Sequence, residues 1–198
     1  MSRIIAGRHG GRRIKTPPTQ LTRPTTDRVR EALFSMLEHE GVLRDAWVLD
    51  LFAGSGALGL EAASRGAAEV VLVDNNPEAV RVIEYNAGVV GHPNVTIEPV
   101  KASTYLARAP RNHFDIVLAD PPYELADEAV AEMVEALKPA LRDGAVVVVE
   151  RHRESPETAW PEEFTPTGQK LKKRLYGIAR MDMAVYADPD AETVAEGE

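Results

Sequence analysis

Two short segments of the sequence carry residues that could bind and activate small molecules. The first, residues 48–60, reads Val-Leu-Asp-Leu-Phe-Ala-Gly-Ser-Gly-Ala-Leu-Gly-Leu, an apolar run that passes into a loop with three glycines. Glycine lets backbone N–H groups at the start of a helix approach a ligand closely. Asp74 lies 20 residues after Gly54, a position from which an acid can bind both hydroxyls of a ribose. The segment therefore predicts a site for an adenosine-containing cofactor.

Asp50 helps to choose between the cofactor classes that use such a glycine loop. It lies four residues before Gly54, where a carboxylate would repel the pyrophosphate of a dinucleotide. The same carboxylate could organise, directly or through water, the α-ammonium group of a methionine moiety. S-Adenosylmethionine is therefore favoured over a dinucleotide. The competing interpretation is a tight strand–helix turn in which Asp50 braces the loop or caps the helix.

The second segment, residues 116–123, reads Ile-Val-Leu-Ala-Asp-Pro-Pro-Tyr. Pro121 and Pro122 each fix φ and lack an N–H group, so the loop is stiff and its acceptors point into one space. If the Asp120 side chain and the Pro121 carbonyl accept both N–H groups of an exocyclic amine, its lone pair is aimed at an electrophilic methyl, and Tyr123 stacks on the base. The alternative is a proline turn after a buried strand, with Tyr123 as a rim aromatic.

These segments, taken with one near the N-terminus, resemble the RsmD family of class I S-adenosylmethionine-dependent methyltransferases. Residues 23–34 read Arg-Pro-Thr-Thr-Asp-Arg-Val-Arg-Glu-Ala-Leu-Phe, and residues 3–7 before them read Arg-Ile-Ile-Ala-Gly. The similarity continues through the two segments described above and extends over residues 3–186. It implies methyl transfer to the exocyclic N2 amine of one guanine in 16S ribosomal RNA of the small subunit.

The resemblance also implies roles for individual residues. Asp50 and the glycine loop should hold the methionine part of the cofactor, Asp74 its ribose, and residues 120–123 the target base. Near residues 100–103, where many class I enzymes have an acid for the adenine amine, this chain has no carboxylate. The predicted cofactor-binding residues are Asp50, Phe52, Gly54, Gly56, Asp74, Asn75, Ser103 and Asp120, and the predicted catalytic residues are Asp120, Pro121, Pro122 and Tyr123.

Two further residues near the N-terminus have an open interpretation. Thr26 and Arg28 either close over the cofactor, or serve as a helix cap and a surface ion pair. The proposed chemistry needs no metal, and no metal site is predicted.

Charge is distributed unevenly along the chain. The net charge is −8, yet the first 30 residues carry eight basic residues against Asp27 alone, a net +7. A second basic cluster lies near the C-terminus, with no acid between residues 168 and 180. Two basic segments on an acidic body indicate contacts to phosphate, although solvated surface charge would look the same. The predicted RNA-binding residues are Arg3, Arg8, Arg12, Arg13, Lys15, Lys170, Lys172, Lys173 and Arg174.

From residue 47 onwards, apolar strands alternate with helical stretches. This pattern predicts an α/β fold, a Rossmann-like class I methyltransferase with a mostly parallel sheet covered by helices on both faces. Residues 170–175 and 178–186, joined at Gly177, are predicted to form a hairpin at the sheet edge. The seven predicted strands are 47–51, 70–73, 95–98, 114–119, 145–149, 170–175 and 178–186, and the predicted helices between them are 57–64, 77–86 and 127–137.

The N-terminal part is predicted to form a small β-hairpin followed by a helix. Residues 3–15 have the hairpin pattern, and the helix begins near Thr26 with an apolar face that includes Val29 and Leu33. The predicted division is a basic extension over 1–22, a methyltransferase domain over 23–187 and a disordered acidic tail over 188–198.

Composition excludes several classes of protein. The absence of cysteine excludes disulfide frameworks, thiol catalysis and cysteine-based zinc sites. The longest apolar run, residues 145–149, is far shorter than the ~20 residues needed to span a bilayer. We therefore expect a cytoplasmic protein. The family resemblance implies ribosomal RNA, in an assembling or assembled small subunit, as its partner, and we expect it to act as a monomer.

Other functions share part of this pattern. A nicotinamide-dependent oxidoreductase would have the glycine loop and Asp74, but it leaves Asp50 and Asp-Pro-Pro-Tyr unexplained. A non-catalytic ribosome-assembly factor would have the basic ends, yet it has no need for a cofactor and base pocket. Within methyltransferases, adenine or cytosine amines of DNA or RNA and a protein glutamine amide suit the same acceptors. Only the family resemblance selects guanine.

Overall fold

The structure, a computed structural model, describes residues 2–17, 27–168 and 174–191. A central β-sheet carries helices on both faces, and a two-stranded hairpin precedes it. The helices are α1 Asp27–His39, α2 Ala57–Ser64, α3 Pro77–Val90, α4 Ala102–Leu106 and α5 Asp127–Leu137. The strands are β1 Ser2–Arg3, β2 Arg13–Ile14, β3 Trp47–Leu51, β4 Glu69–Val73, β5 Val95–Glu98, β6 Phe114–Ala119, β7 Leu141–His152, β8 Phe164–Pro166, β9 Leu175–Tyr176 and β10 Ala179–Tyr186.

The main sheet has the strand order β5-β4-β3-β6-β7-β10-β8, with β9 paired to β10. Pairings from β5 to β7 are parallel, whereas β10 is antiparallel to β7, β8 and β9. The predicted mostly parallel α/β sheet is confirmed, but it has eight strands in the described residues rather than seven. The additional strand is β8, whose three residues end in a proline and are too few to show a period.

The edge of the sheet differs from its predicted form. Residues 170–173, the first part of the predicted strand 170–175, lie outside the described residues. The strand at this point is the two-residue β9, which pairs with β10 through Tyr176 opposite Ala179. The predicted acidic tail lies largely outside the described residues too, since the description ends at residue 191.

Alternate residues of each central strand enter two different cores. On one face Val48, Val70 and Ile116 pack with the hairpin and helices α1 to α3. On the other face Leu49 and Val117 pack with α4 and α5. Both faces of the sheet are therefore buried from solvent, which explains why the sequences of these strands are continuous apolar runs.

The hairpin is part of the first core, because Ile4 and Ile14 are fully buried in it. Its loop packs against the end of α2, where the Arg8 N–H donates to the Ser64 carbonyl at 2.7 Å. Gly7 has φ +78°, and a Cβ there would lie 2.0 Å from that same carbonyl oxygen. Only glycine permits this approach, which fixes the hairpin to α2.

The order of the strands creates a crevice at one edge of the sheet. From β3 the chain continues outwards to β4 and β5, and then returns to the other side of β3 to form β6 and β7. In such sheets, ligands bind at the carboxyl ends of the strands where the order reverses. The register places Leu51 beside Val73 and Ala119, so the residues that follow these three strands meet there. In the described ranges, no helix is both long and apolar enough to cross a membrane.

Candidate functional site: a cofactor and base crevice

The loop after β3 lies at the centre of the crevice and has an unusual backbone. Phe52 has φ +59°, a left-handed conformation that is costly for a bulky side chain, and Gly54 and Gly56 have φ +59° and +75°. The Ala53 N–H donates to the Val73 carbonyl at 3.0 Å, which holds the loop against the end of β4. Backbone strain of this kind is concentrated at binding sites.

Asp50 is buried beneath this loop and has one unused acceptor. Its side chain is fully enclosed, and Oδ2 accepts a hydrogen bond of 2.8 Å from the Gly59 N–H at the start of α2. Oδ1 has no hydrogen-bond partner. Burial raises the pKa of Asp50 to about 7, opposed by the Gly59 hydrogen bond and increased further by the nearby Asp74 charge. The site therefore lacks a cationic donor for Oδ1, and an α-ammonium group has the required chemistry.

Asp74 follows β4 and braces the glycine loop from the side. Its Oδ2 accepts from the Gly54 N–H at 2.8 Å, and its Oδ1 accepts from the Asn76 N–H at 2.9 Å. Asn75 is exposed beside it. The half-buried carboxylate has lone pairs left on both oxygens, so it can brace the loop and accept from hydroxyl groups at the same time.

Asp120, which follows β6, lines the same cavity as Asp50 and Phe52. Its backbone N–H donates to the Leu51 carbonyl at 3.3 Å, which fixes the start of the Asp-Pro-Pro-Tyr loop against the end of β3. Pro121 is buried. The structure therefore brings together the two segments that the sequence singled out, 70 residues apart in the chain between Asp50 and Asp120.

Tyr123 lies on the rim of the crevice and has partners in β7. Its hydroxyl donates to Glu150 Oε1 at 3.1 Å, and its ring meets His152 edge-on with 5.2 Å between centroids. Glu150 is 4% exposed. Sequence reasoning missed Glu150 and His152, although an acid placed directly after a run of four valines was the available signal.

Sequence reasoning also missed Arg30 at this site. It is 1% exposed and lines the cavity that contains Asp50 and Asp120. The available signal was its place on the apolar face of α1, three and four residues before Leu33 and Phe34. By contrast, Arg28 is exposed, and Thr26 lies outside the described residues.

The predicted adenine contact, Ser103, is exposed in the first turn of α4. The nearest acid at this edge is Glu98, the last residue of β5, whose carbonyl accepts from the Asp74 N–H at 3.3 Å. The Glu98 carboxylate is ion-paired with Arg108 at 2.6 Å. An adenine contact by Ser103 stays a prediction.

Most of the predicted RNA-binding residues in the described ranges have partners within the protein. Arg3 is ion-paired with Asp27, and Lys15 Nζ lies 3.6 Å above the centre of the Tyr85 ring. Arg12 Nη1 donates to the carbonyls of Val89 and Val90 at the end of α3, at 2.6 and 2.7 Å. Arg174 pairs with Asp182 and Glu157.

The remaining predicted RNA-binding residues divide into two groups. Arg8 and Arg13 are exposed and form no ion pair within the described ranges. Arg8 lies at the hairpin loop near the end of α2, so it is at the opposite end of the sheet from the crevice. Lys170, Lys172 and Lys173 lie outside the described residues.

The chain is similar to known proteins along almost its whole length. A family model described as "Conserved hypothetical protein 95" matches residues 2–184. The chain is 38% identical over 191 residues to the Ribosomal RNA small subunit methyltransferase D of Escherichia coli (strain K12), covering 95% of this chain and 94% of that relative. It is 32% identical over 190 residues to the Putative rRNA methyltransferase YlbH of Bacillus subtilis (strain 168), covering 93% and 97%.

Solved structures give the same result. The structure titled "Putative methyltransferase yhhF from Escherichia coli" superposes with a TM-score of 0.77 at 31% identity, over 94% of this chain and 98% of that one. The putative methylase HI0767 of Haemophilus influenzae superposes with a TM-score of 0.74 at 26% identity, over 94% and 99%. These neighbours confirm the predicted Rossmann-like class I methyltransferase fold.

Proposed function

The chain belongs to the RsmD family of methyltransferases, and from this premise we propose that it methylates the N2 amine of a guanine in 16S ribosomal RNA. The methyl donor is S-adenosylmethionine. One observation carries the proposal: the Asp50 glycine loop, Asp74 and the Asp-Pro-Pro-Tyr loop follow adjacent parallel strands and meet in one crevice.

The described residues fit the cofactor at its methionine end. Asp50 Oδ1 is a buried acceptor without a donor, and an α-ammonium group supplies one. Gly54 and Gly56 leave the loop backbone uncovered at their two positions, and Asp74 beside them accepts from the ribose hydroxyls. S-Adenosylmethionine, when bound, supplies an electrophilic methyl group on a sulfonium.

Asp120 acts on the other substrate as an orienting acceptor. A guanine amine is a poor nucleophile because its lone pair is delocalised into the ring. When the Asp120 carboxylate and the Pro121 carbonyl accept its two N–H groups, the nitrogen becomes pyramidal and its lone pair is directed towards the methyl position. The N–C bond would form as the methyl–sulfonium bond breaks with its electron pair left on sulfur, and Asp120 would take the proton that the methylated amine then loses.

Tyr123 and the backbone of Pro122 complete the base site. The stiff proline pair holds the acceptors at fixed positions, and the Tyr123 ring offers a stacking surface whose tilt is set by its hydrogen bond to Glu150. A base can enter such a site only after it leaves its own stack. The substrate is therefore an accessible guanine in a single strand, loop or opened helix.

The experiment that tests this function uses labelled S-adenosylmethionine with two substrates, unmodified small ribosomal subunits and naked 16S ribosomal RNA. Digestion to nucleosides then identifies the labelled product. We expect N2-methylguanosine, and the better substrate of the two shows whether a particle is needed. Label on adenine, cytosine or protein would contradict the guanine specificity.

Asp120→Ala is the matched variant for this experiment. It removes the carboxylate acceptor but leaves Asp50 and Asp74 in place, so methyl transfer should fall by about 1,000-fold or more while cofactor affinity stays largely intact. Full activity of Asp120→Ala would contradict the assigned role. The cytoplasmic location, the monomeric state and the subunit context stay predictions.

A further inference from the structure

Arg30 carries a buried guanidinium that the protein uses only in part. Its Nη2 donates to Ser2 Oγ, to the Arg3 carbonyl and to Asp27 Oδ1, at distances of 2.9, 2.7 and 2.8 Å. Nε and Nη1 are enclosed and have no hydrogen-bond partner among the described residues. Three N–H bonds of a permanently charged group therefore lack an acceptor in that part of the chain.

Such an arrangement needs an explanation. Buried donors are almost always paired, and an unpaired buried cation is among the least favourable groups a protein can hold. The one ion pair of Arg30 in the described residues joins it to Asp27, whose side chain is 43% exposed, and this pair uses only Nη2. Among the described residues nothing accepts from the other side of the guanidinium, so an anion that enters the cavity would complete its hydrogen bonds.

The cavity that Arg30 lines shows which anion this is. The same cavity is lined by Asp50, whose Oδ1 is a buried acceptor without a donor. No ion pair joins Arg30 to Asp50 in the part of the chain that the structure describes, so the two opposite charges face the cavity separately. A ligand that satisfies both must present an ammonium group and a carboxylate to one cavity, and an α-amino acid carries these two groups.

We propose that Arg30 binds the α-carboxylate of the methionine moiety of S-adenosylmethionine, while Asp50 binds its α-ammonium. The proposal rests on the proposed function and deepens it, since it adds a residue outside the sheet to the cofactor site. It also explains why a guanidinium group is buried on α1. Because Arg30 Nη2 holds Ser2 and Arg3, the start of the hairpin is fixed by the same side chain that contacts the cofactor.

The proposal is tested by comparing S-adenosylmethionine with decarboxylated S-adenosylmethionine, which keeps the ammonium and the sulfonium but lacks the carboxylate. Isothermal titration calorimetry gives both affinities. For the wild-type protein we expect the decarboxylated compound to bind about 10- to 100-fold more weakly, the usual effect of losing a charged hydrogen bond. For Arg30→Met, the two compounds should bind equally within about threefold, because the carboxylate no longer has a partner.

Two further variants separate recognition from structural support. Arg30→Lys keeps the charge and should retain part of the preference for the carboxylate. Asp27→Asn removes the exposed partner of Nη2 but leaves the free N–H groups in place, so the preference should stay within about threefold of wild type. Thermal unfolding shows which variants are folded. If Arg30→Met does not fold, the proposal is tested by the ratio of the two affinities in the wild-type protein and in Arg30→Lys.

The outcomes are distinct. The proposal would be overturned if the wild-type protein bound the two compounds with equal affinity. It would also be overturned if Arg30→Met weakened the binding of both compounds by the same factor, so that the preference for the carboxylate remained. If the wild-type protein binds neither compound, the proposed function itself is wrong, and this inference falls with it.

Discussion

The Gly59 N–H donates to Asp50 Oδ2 at 2.8 Å, which fixes the carboxylate at the junction of β3 and α2 with its other oxygen facing the cavity. No group of the described residues donates to that second oxygen. Burial raises the pKa of Asp50 to about 7, so the carboxyl group titrates in the physiological range. Cofactor binding should therefore depend on pH.

The direction of this dependence follows from the raised pKa. Below pH 7 the free protein holds a protonated Asp50, and an ammonium ligand favours the ionised form. Binding of S-adenosylhomocysteine therefore releases a proton, and its affinity rises with pH and levels off above 7. At pH 6 we expect affinity to be about tenfold below the plateau. Calorimetry in two buffers of different ionisation enthalpy measures both the affinity and the released proton.

Asp50→Asn is the control for this experiment. The amide oxygen still accepts from Gly59, but the side chain cannot ionise, so affinity should be lower and should not change between pH 5.5 and 7. If Asp50→Asn shows the same pH slope as the wild type, another group is responsible.

Gly59 itself is predicted to tolerate no side chain. A Cβ there would lie 2.3 Å from Leu72 Cδ2 and 2.9 Å from Val70 Cγ1, both in the packed core under α2. Gly59→Ala should therefore lower the free energy of unfolding by about 1–3 kcal/mol, as measured by urea denaturation. Gly88→Ala is the matched control: it lies on the exposed side of α3 with nothing within 4 Å of its Cβ, and it should stabilise the protein by up to about 1 kcal/mol. Equal effects would contradict the packing argument.

The sequence predicts the central part of the fold and site well. Strands such as β3 and β6 are short apolar runs that end in a functional motif, so their type, their parallel pairing and the meeting of Asp50 with Asp120 all follow from pattern. The same holds for helix α2, which the glycine loop introduces. Local pattern was sufficient here because these strands are buried on both faces of the sheet and α2 directly follows the glycine loop.

Elements without a period were missed for physical reasons. The five residues of α4 and the three of β8 are shorter than one clear repeat of either pattern. Arg30 enters the sequence analysis only as part of the N-terminal basic charge, because its place on the apolar face of α1 does not show that this face packs under the hairpin. For Arg12 the RNA contact stays a prediction, and the fold adds hydrogen bonds from its guanidinium to the last carbonyls of α3.

Glu61 is predicted to stabilise the packing of the hairpin against α2. Its fully buried carboxylate accepts from the N–H groups of Ile5 and Ala6 at 2.8 and 3.0 Å and from Arg65 Nε at 2.8 Å. Glu61→Gln removes the fully buried one of the three carboxylates that pair with Arg65, and it should lower the free energy of unfolding by about 3 kcal/mol. Trypsin should then cut the hairpin faster, which gel electrophoresis of timed digests measures.

Glu31→Gln is the matched control for Glu61, because Glu31 pairs with the same Arg65 but is 48% exposed. An exposed pair contributes little, so this variant should change the free energy of unfolding by about 0.5 kcal/mol. A Glu31→Gln variant as unstable as Glu61→Gln would show that the loss of one charge near Arg65, rather than the hairpin contact, decides stability.

RNA binding by the hairpin should depend on Arg8 and Arg13, for which the described residues provide neither an ion pair nor a side-chain hydrogen bond. Arg8 and Arg13 are exposed, and each phosphate contact contributes about 0.7–0.9 to the slope of log affinity against log salt concentration. Arg8→Ala and Arg13→Ala should each reduce the steepness of this slope by that amount. Filter binding of 16S ribosomal RNA measures it between about 50 and 300 mM salt, where affinity depends strongly on salt concentration. Arg111→Ala removes the same charge from the exposed loop between α4 and β6 and should leave the slope unchanged. If all three variants reduce it equally, net charge rather than the hairpin governs RNA binding.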